Sequence, residues 1–252
     1  PTARALVVAI VGLTVLNCSS DGDDGGPSLV ATTLALLSGD AQTGTAGAAL
    51  ANPIIVKVTD QNGAAMANVS VAFAVTAGGG SVGAASVATN AQGQASTTWT
   101  LGATAGANGA TATVTGLTGS PVAFTATGTA GSATQVVITA GNTQTGEVGA
   151  AVALAPTVTV LDANDNPVAG ATVTWTVTGG GGSLTAATSM TDAAGEASIG
   201  WTLGPLVGAD LQMLRASLAG GANVMFTGTA TLTTGTISLN GGDNQSAVAG
   251  TA

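Results

Sequence analysis

The stretch VTDQNGAAMANVSVAFAVTAGGG, residues 58–80, returns about 102 residues later as VLDANDNPVAGATVTWTVTGGGG, residues 160–182. Both copies read as strand, Asx-type turn, strand and glycine corner, a hairpin core around which the rest of each repeat is arranged. The repetition extends outward in both directions. LLSGDAQTGTAG opens the first copy and ITAGNTQTGEVG the second; SVATNAQGQASTTWTLG then answers to TSMTDAAGEASIGWTLG, and VAFTATGTA to VMFTGTA. Near the C-terminus SLNGGDNQSAVAG starts the pattern again.

Alternation assigns the faces, because successive strand side chains point to opposite sides. Ile54, Val56 and Val58 point one way and Ile55, Lys57 and Thr59 the other; Val69, Val71, Phe73 and Val75 alternate with Ser70, Ala72, Ala74 and Thr76. The second copy repeats this through Val158 and Val160, then Val173, Trp175 and Val177, then Ala197, Ile199, Trp201 and Leu203. One face of each strand is apolar and the other is Thr, Ser and Ala, so two sheets packed face to face form a sandwich. All six aromatic residues, Phe73, Trp99, Phe124, Trp175, Trp201 and Phe226, fall on inward positions and are expected in the core. A sugar-stacking platform needs exposed rings, which weighs against a carbohydrate-binding module.

Composition agrees with an all-β chain. The 252 residues include 39 Gly, are 45% hydrophobic and only 6% charged, and contain neither His nor Tyr. That apolar share excludes a disordered chain. The net charge of −9 reflects a scarcity of bases, Arg4, Lys57 and Arg215. Too few cations are present to neutralise phosphates, so no nucleic-acid partner is expected. With no His to act as base and the carboxylates confined to turns, no catalytic constellation and no cofactor are expected.

Each repeat offers about seven short strands in about 100 residues, an immunoglobulin-like size without the cysteine pair of antibody domains. The pattern carried by Asp60, Val71, Phe73, Thr89, Gly93 and Ala95, and again by Asp162, Val173, Trp175, Thr191, Gly195 and Ala197, resembles the bacterial immunoglobulin-like group 1 repeats of intimin and invasin-type surface proteins. The resemblance implies tandem Ig-like β-sandwiches, an extracellular rod or stalk often found in adhesins, and no catalysis. A partner would then be a host or cell-surface protein or a glycan. A glycan- or peptidoglycan-binding module and a filament built by strand exchange at sheet edges are the alternatives, the latter because the Thr-rich strands carry little edge protection.

The N-terminus reads as an export segment. Arg4 precedes an apolar run over residues 5–16, too short to span a bilayer, and Cys18 closes it. The arrangement resembles a bacterial lipoprotein signal, although Asn17 stands where a small residue is usual; an ordinary signal with an incidental cysteine is the other reading. Cys18 is thus the candidate lipidation site, and membrane attachment at the outer membrane or cell surface through a lipid anchor follows from it. The expected organisation is a signal segment over 1–18, an acidic Gly-rich tether over 19–32, sandwiches over 33–130 and 135–230 joined by residues 131–134, and the first strand of a truncated third repeat over 236–252.

Two further motifs have competing readings. Asp162, Asn164 and Asp165 resemble the first half of a calcium loop, but Pro167 stands where the loop needs glycine and the bidentate Glu is missing, leaving a weak metal candidate beside an ordinary Asx turn. The glycine runs at 78–80 and 179–182 have no helix or P-loop lysine after them and read as flexible sheet-to-sheet corners.

Overall fold

The computed structural model describes residues 28–232; Cys18, the tether before residue 28 and the segment 236–252 lie outside them. The first repeat contains β1 (Ala31–Ser38), β2 (Gln42–Thr45), β3 (Ile54–Asp60), β4 (Ser70–Ala77), β5 (Ser81–Val82), β6 (Ser86–Ala88), β7 (Gln94–Thr97), β8 (Trp99–Thr100), β9 (Gly106–Thr113) and β10 (Val122–Thr129). The second repeats them as β11 (Gln135–Ala140), β12 (Gln144–Glu147), β13 (Thr157–Leu161), β14 (Thr172–Gly179), β15 (Ser183–Leu184), β16 (Thr188–Met190), β17 (Glu196–Ser198), β18 (Trp201–Thr202), β19 (Gly208–Ser217) and β20 (Asn223–Thr231).

Each repeat is an Ig-like sandwich. A three-stranded sheet, β1-β3-β7, faces a five-stranded one, β2-β10-β9-β4-β6, and the second repeat has the same order in β11-β13-β17 and β12-β20-β19-β14-β16. The edge strands β2 and β12 run parallel to β10 and β20, while the other named pairs are antiparallel. Equivalent residues hold equivalent registers: Leu34 lies opposite Val58, and Val136 opposite Val160.

One expectation changes. The strand–turn–strand of residues 58–80 is not a hairpin, because β3 and β4 belong to different sheets. The turn carries the chain across the sandwich, so the two alternating apolar faces meet each other across the core. A direct hairpin would have put both on one sheet.

The core follows the alternation. Ile54, Val56, Val58, Val71, Phe73, Trp99 and Phe124 cluster in the first sandwich, and Val158, Val160, Val173, Trp175, Trp201, Leu214 and Phe226 in the second. All six aromatic side chains are buried, none more than 3% exposed. Trp175 donates from Nε1 to Ser189 Oγ at 2.8 Å and tilts against Phe226 at 5.9 Å. The indole nitrogens of Trp99 and Trp201 are buried without an acceptor, so these rings contribute by packing alone, against the desolvation cost of one N–H each.

The family-type motif residues turn out to tie loops. Thr89 Oγ1 accepts from Val69 N and donates to Met66 O at 2.6 Å, and Thr191 does the same between Ala171 N and Val168 O. Asn90 and Asp192 each accept two backbone N–H groups from the turn that follows.

Candidate functional site: the joint between the sandwiches

The chain crosses from β10 to β11 in residues 130–134. At this point the Asx turn of the second sandwich, residues 162–166, reaches back to the first. Its geometry starts locally: Asp162 Oδ1 accepts from Asn164 N at 2.8 Å and Asn166 N at 2.9 Å, folding the turn in the manner usual for Asp. Asp165 takes a positive φ of 62° within it. The second carboxylate oxygen faces outward from the turn and accepts from Gly131 N of the linker at 2.7 Å. Asn166 completes the arrangement. Its amide nitrogen donates to both Asp162 oxygens, at 3.2 and 3.0 Å, and to Ala103 O of the first sandwich at 2.9 Å. Its amide oxygen accepts from Ala105 N at 2.7 Å.

Asp162 and Asn166 are therefore buried at 2% and 4% exposure although they sit in a turn. Burial pushes the Asp162 carboxyl up. The Gly131 N–H, the Asn166 amide and the N–H groups of Asn166 and Asn164 outweigh it and hold the group at about 2. The carboxylate stays charged without a basic side chain among the described residues to hold it, because backbone and amide donors saturate it.

The three calcium-loop candidates do not converge. Asp162 is consumed as described; Asp165 Oδ1 accepts from Gln135 Nε2 at 3.0 Å; Asn164 lies beside Gly47, where an added Cβ would sit 3.2 Å from its amide nitrogen. Among the described residues no group of three His, Cys, Asp or Glu side chains gathers to hold a metal ion.

The matching turn in the first sandwich differs at one position. Asp60 Oδ1 accepts from Asn62 N and Ala64 N at 2.8 Å each, but Ala64 stands where the second repeat has Asn166, and Asp60 Oδ2 is buried without a partner. The turn folds without the asparagine. What the asparagine adds is a partner for the Asp162 carboxylate and two bonds to the neighbouring sandwich.

The glycine corners shape the surface that receives it. Gly78 and Gly180 have φ of 78° and 82°, and a Cβ at either would collide with Asn108 or Gln212. These two buried amides accept from Gly102 N at 3.0 Å and Gly204 N at 2.8 Å. A Cβ on Gly102 or Gly204 would strike the carbonyl of Gly78 or Gly180 in turn. The runs are locked corners, not flexible ones, and they fix the loop carrying Ala103 and Ala105. Elsewhere a groove of about 370 Å³ beside Ser38, Asp40, Gln42 and Asn52 presents polar groups already spent on one another. Gln42 bonds Gly39 O and both backbone groups of Asn52, and Asp40 accepts from Thr125.

Tandem Ig-like β-sandwiches joined through an Asx turn define the class of this chain. Residues 151–203, within the second repeat, match the family model described as bacterial Ig-like domain (group 1). No curated protein matches the chain. Among solved structures, the D0-D1 domain of intimin is 24% identical over 79% of this chain and 99% of its own, with a TM-score of 0.33. The Yersinia pseudotuberculosis adhesin InvE is 19% identical over 82% of this chain and 62% of its own, with a TM-score of 0.38. The Escherichia coli adhesin FdeC is 18% identical over 81% and 66%, with a TM-score of 0.48.

Proposed function

We propose that this chain is a surface-displayed stalk: two Ig-like sandwiches, dividing at residues 131–134, held in line to carry an adhesive or spacing function without catalysis. The single observation that carries this reading is the joint. A loose tether needs no buried carboxylate and no amide spanning two domains, whereas a stalk needs a fixed relation between successive units. Burial of all six aromatic rings supports it too, since none is available to stack on a sugar. A host or cell-surface protein or glycan is then the partner class.

Small-angle scattering of the chain tests the reading: one elongated particle with a defined maximum dimension is expected. A broad distribution of inter-domain distances would overturn it. The membrane end of the stalk is Cys18, lipidated after removal of the apolar segment before it. More than one acyl chain is required for durable attachment. Cys18→Ser should release the protein from membranes, and an unchanged membrane fraction with unchanged mass would refute the anchor.

A further inference from the structure

The joint consists of a plug and a socket, and among the described residues one plug stands against two ends of socket-like build. The plug is the turn with Asp162 and Asn166. The socket is the Gly47 loop of the first sandwich together with the Ala103 carbonyl and the Ala105 N–H. The equivalent end of the second sandwich is built along similar lines, with Gly149 matching Gly47, Pro205 matching Ala103 and Val207 matching Ala105, although β19 carries a register shift just after this loop. Its loops are held by similar bonds. Leu101 N and Leu203 N donate to Ala48 O and Ala150 O, and Leu50 N and Val152 N to Trp99 O and Trp201 O, at 2.8–3.0 Å; the glycine bond shifts by one residue, from Gly47 N to Gly102 O in the first sandwich and from Gly149 N to Leu203 O in the second.

At this second end nothing occupies the socket among the described residues. A Cβ on Gly149 would meet no atom within 4 Å, in contrast to Gly47 beside Asn164. Leu206 and Val207 stand 50% and 41% exposed on its rim. The first sandwich's own turn cannot serve as a plug for another copy, because Ala64 replaces the spanning asparagine.

We infer that the Pro205–Val207 end is a preformed socket for a further Ig-like repeat bearing an Asp-x-x-x-Asn turn. The recognition is specific: the asparagine amide donates to the Pro205 carbonyl and accepts from the Val207 N–H, over an apolar rim. The opening motif carried again in SLNGGDNQSAVAG, residues 238–250, favours a repeat of this kind as the occupant over an unrelated protein. The inference rests on the stalk reading but adds an address for growth, at one end only.

The test inserts a second copy of residues 130–231 directly after Thr231 of the full chain and follows amide hydrogen exchange, with Ala105 as internal reference. The Val207 N–H should slow by about tenfold or more relative to the parent, the effect of one new hydrogen bond. The same fusion with the inserted copy's Asn166→Ala should return Val207 to the parent rate while Ala105 stays protected. Equal Val207 rates in parent and fusion, with Ala105 slow in both, overturn the socket and leave the stalk standing. Fast exchange at Ala105 in the parent overturns the joint itself.

Discussion

Asn166→Ala isolates the worth of the joint, because the first sandwich already shows that the turn folds with alanine at the matching position, Ala64. The substitution removes the bond to Ala103 O at 2.9 Å, the bond from Ala105 N at 2.7 Å and the amide contacts to the Asp162 carboxylate. Two neutral bonds at about 1 kcal/mol each and one to a buried charge at about 1.5–3 kcal/mol set an upper range near 5 kcal/mol. The remaining donors to Asp162 stay in place, and water can reach Ala103 and Ala105 once the joint parts, so about 2–4 kcal/mol of coupling should be lost. At about 1.4 kcal/mol per tenfold, exchange of the Ala105 amide should accelerate roughly thirtyfold to a thousandfold. Exchange within β3 and β13 should hardly change. In scattering, the maximum dimension should broaden while both sandwiches stay folded. An Ala105 rate within a factor of two of the parent, with identical scattering, would refute the assignment of Asn166 as the spanning residue.

Three other outcomes follow from the same geometry. Trp201→Ala should cost roughly 3–5 kcal/mol, seen as a lowered melting transition of the second sandwich with the first nearly unmoved, because the ring is 1% exposed and belongs to one core only. The joint should loosen in acid. The Asp162 carboxyl is held down to about 2 from 3.8, so its contribution is complete above about pH 4 and is lost as pH falls toward 2; Gly131 amide exchange measured across that window checks it, and a flat profile speaks against the bond. Gly204→Ala should destabilise the second sandwich by about 1–3 kcal/mol or more, since the new methyl meets the Gly180 carbonyl; an unchanged melting temperature would show that the corner yields.

Much of the fold was legible because strands write their faces with a period of two. Trp175, Trp201 and Leu203 could be placed inward with no structure at hand, and each is buried. Strand β9 was not legible. GANGATAT offers only Ala110 and Ala112 to the core, too little apolar contrast to mark a face, whereas its counterpart β19 announces itself through Leu214. The crossing between sheets was misread as a hairpin because adjacency in sequence and an Asx turn are common to both arrangements. The joint escaped for a different reason. Its receiving atoms are the backbone groups of two alanines, which have no chemical signature, and Asn166 looks like any polar turn residue. The available signal was a difference between the repeats, Asn166 against Ala64 in otherwise parallel turns.

The buried carboxylate at the joint is stabilised by N–H dipoles, and above the pH at which it protonates that makes the joint insensitive to dissolved salt. Surface ion pairs fade over a Debye length of about 8 Å at physiological ionic strength. The bonds to Asp162 lack that dependence: no basic side chain among the described residues contributes to holding it, and short hydrogen bonds at 2% exposure are little screened by dissolved salt. Brackish water and brine should leave the joint equally firm.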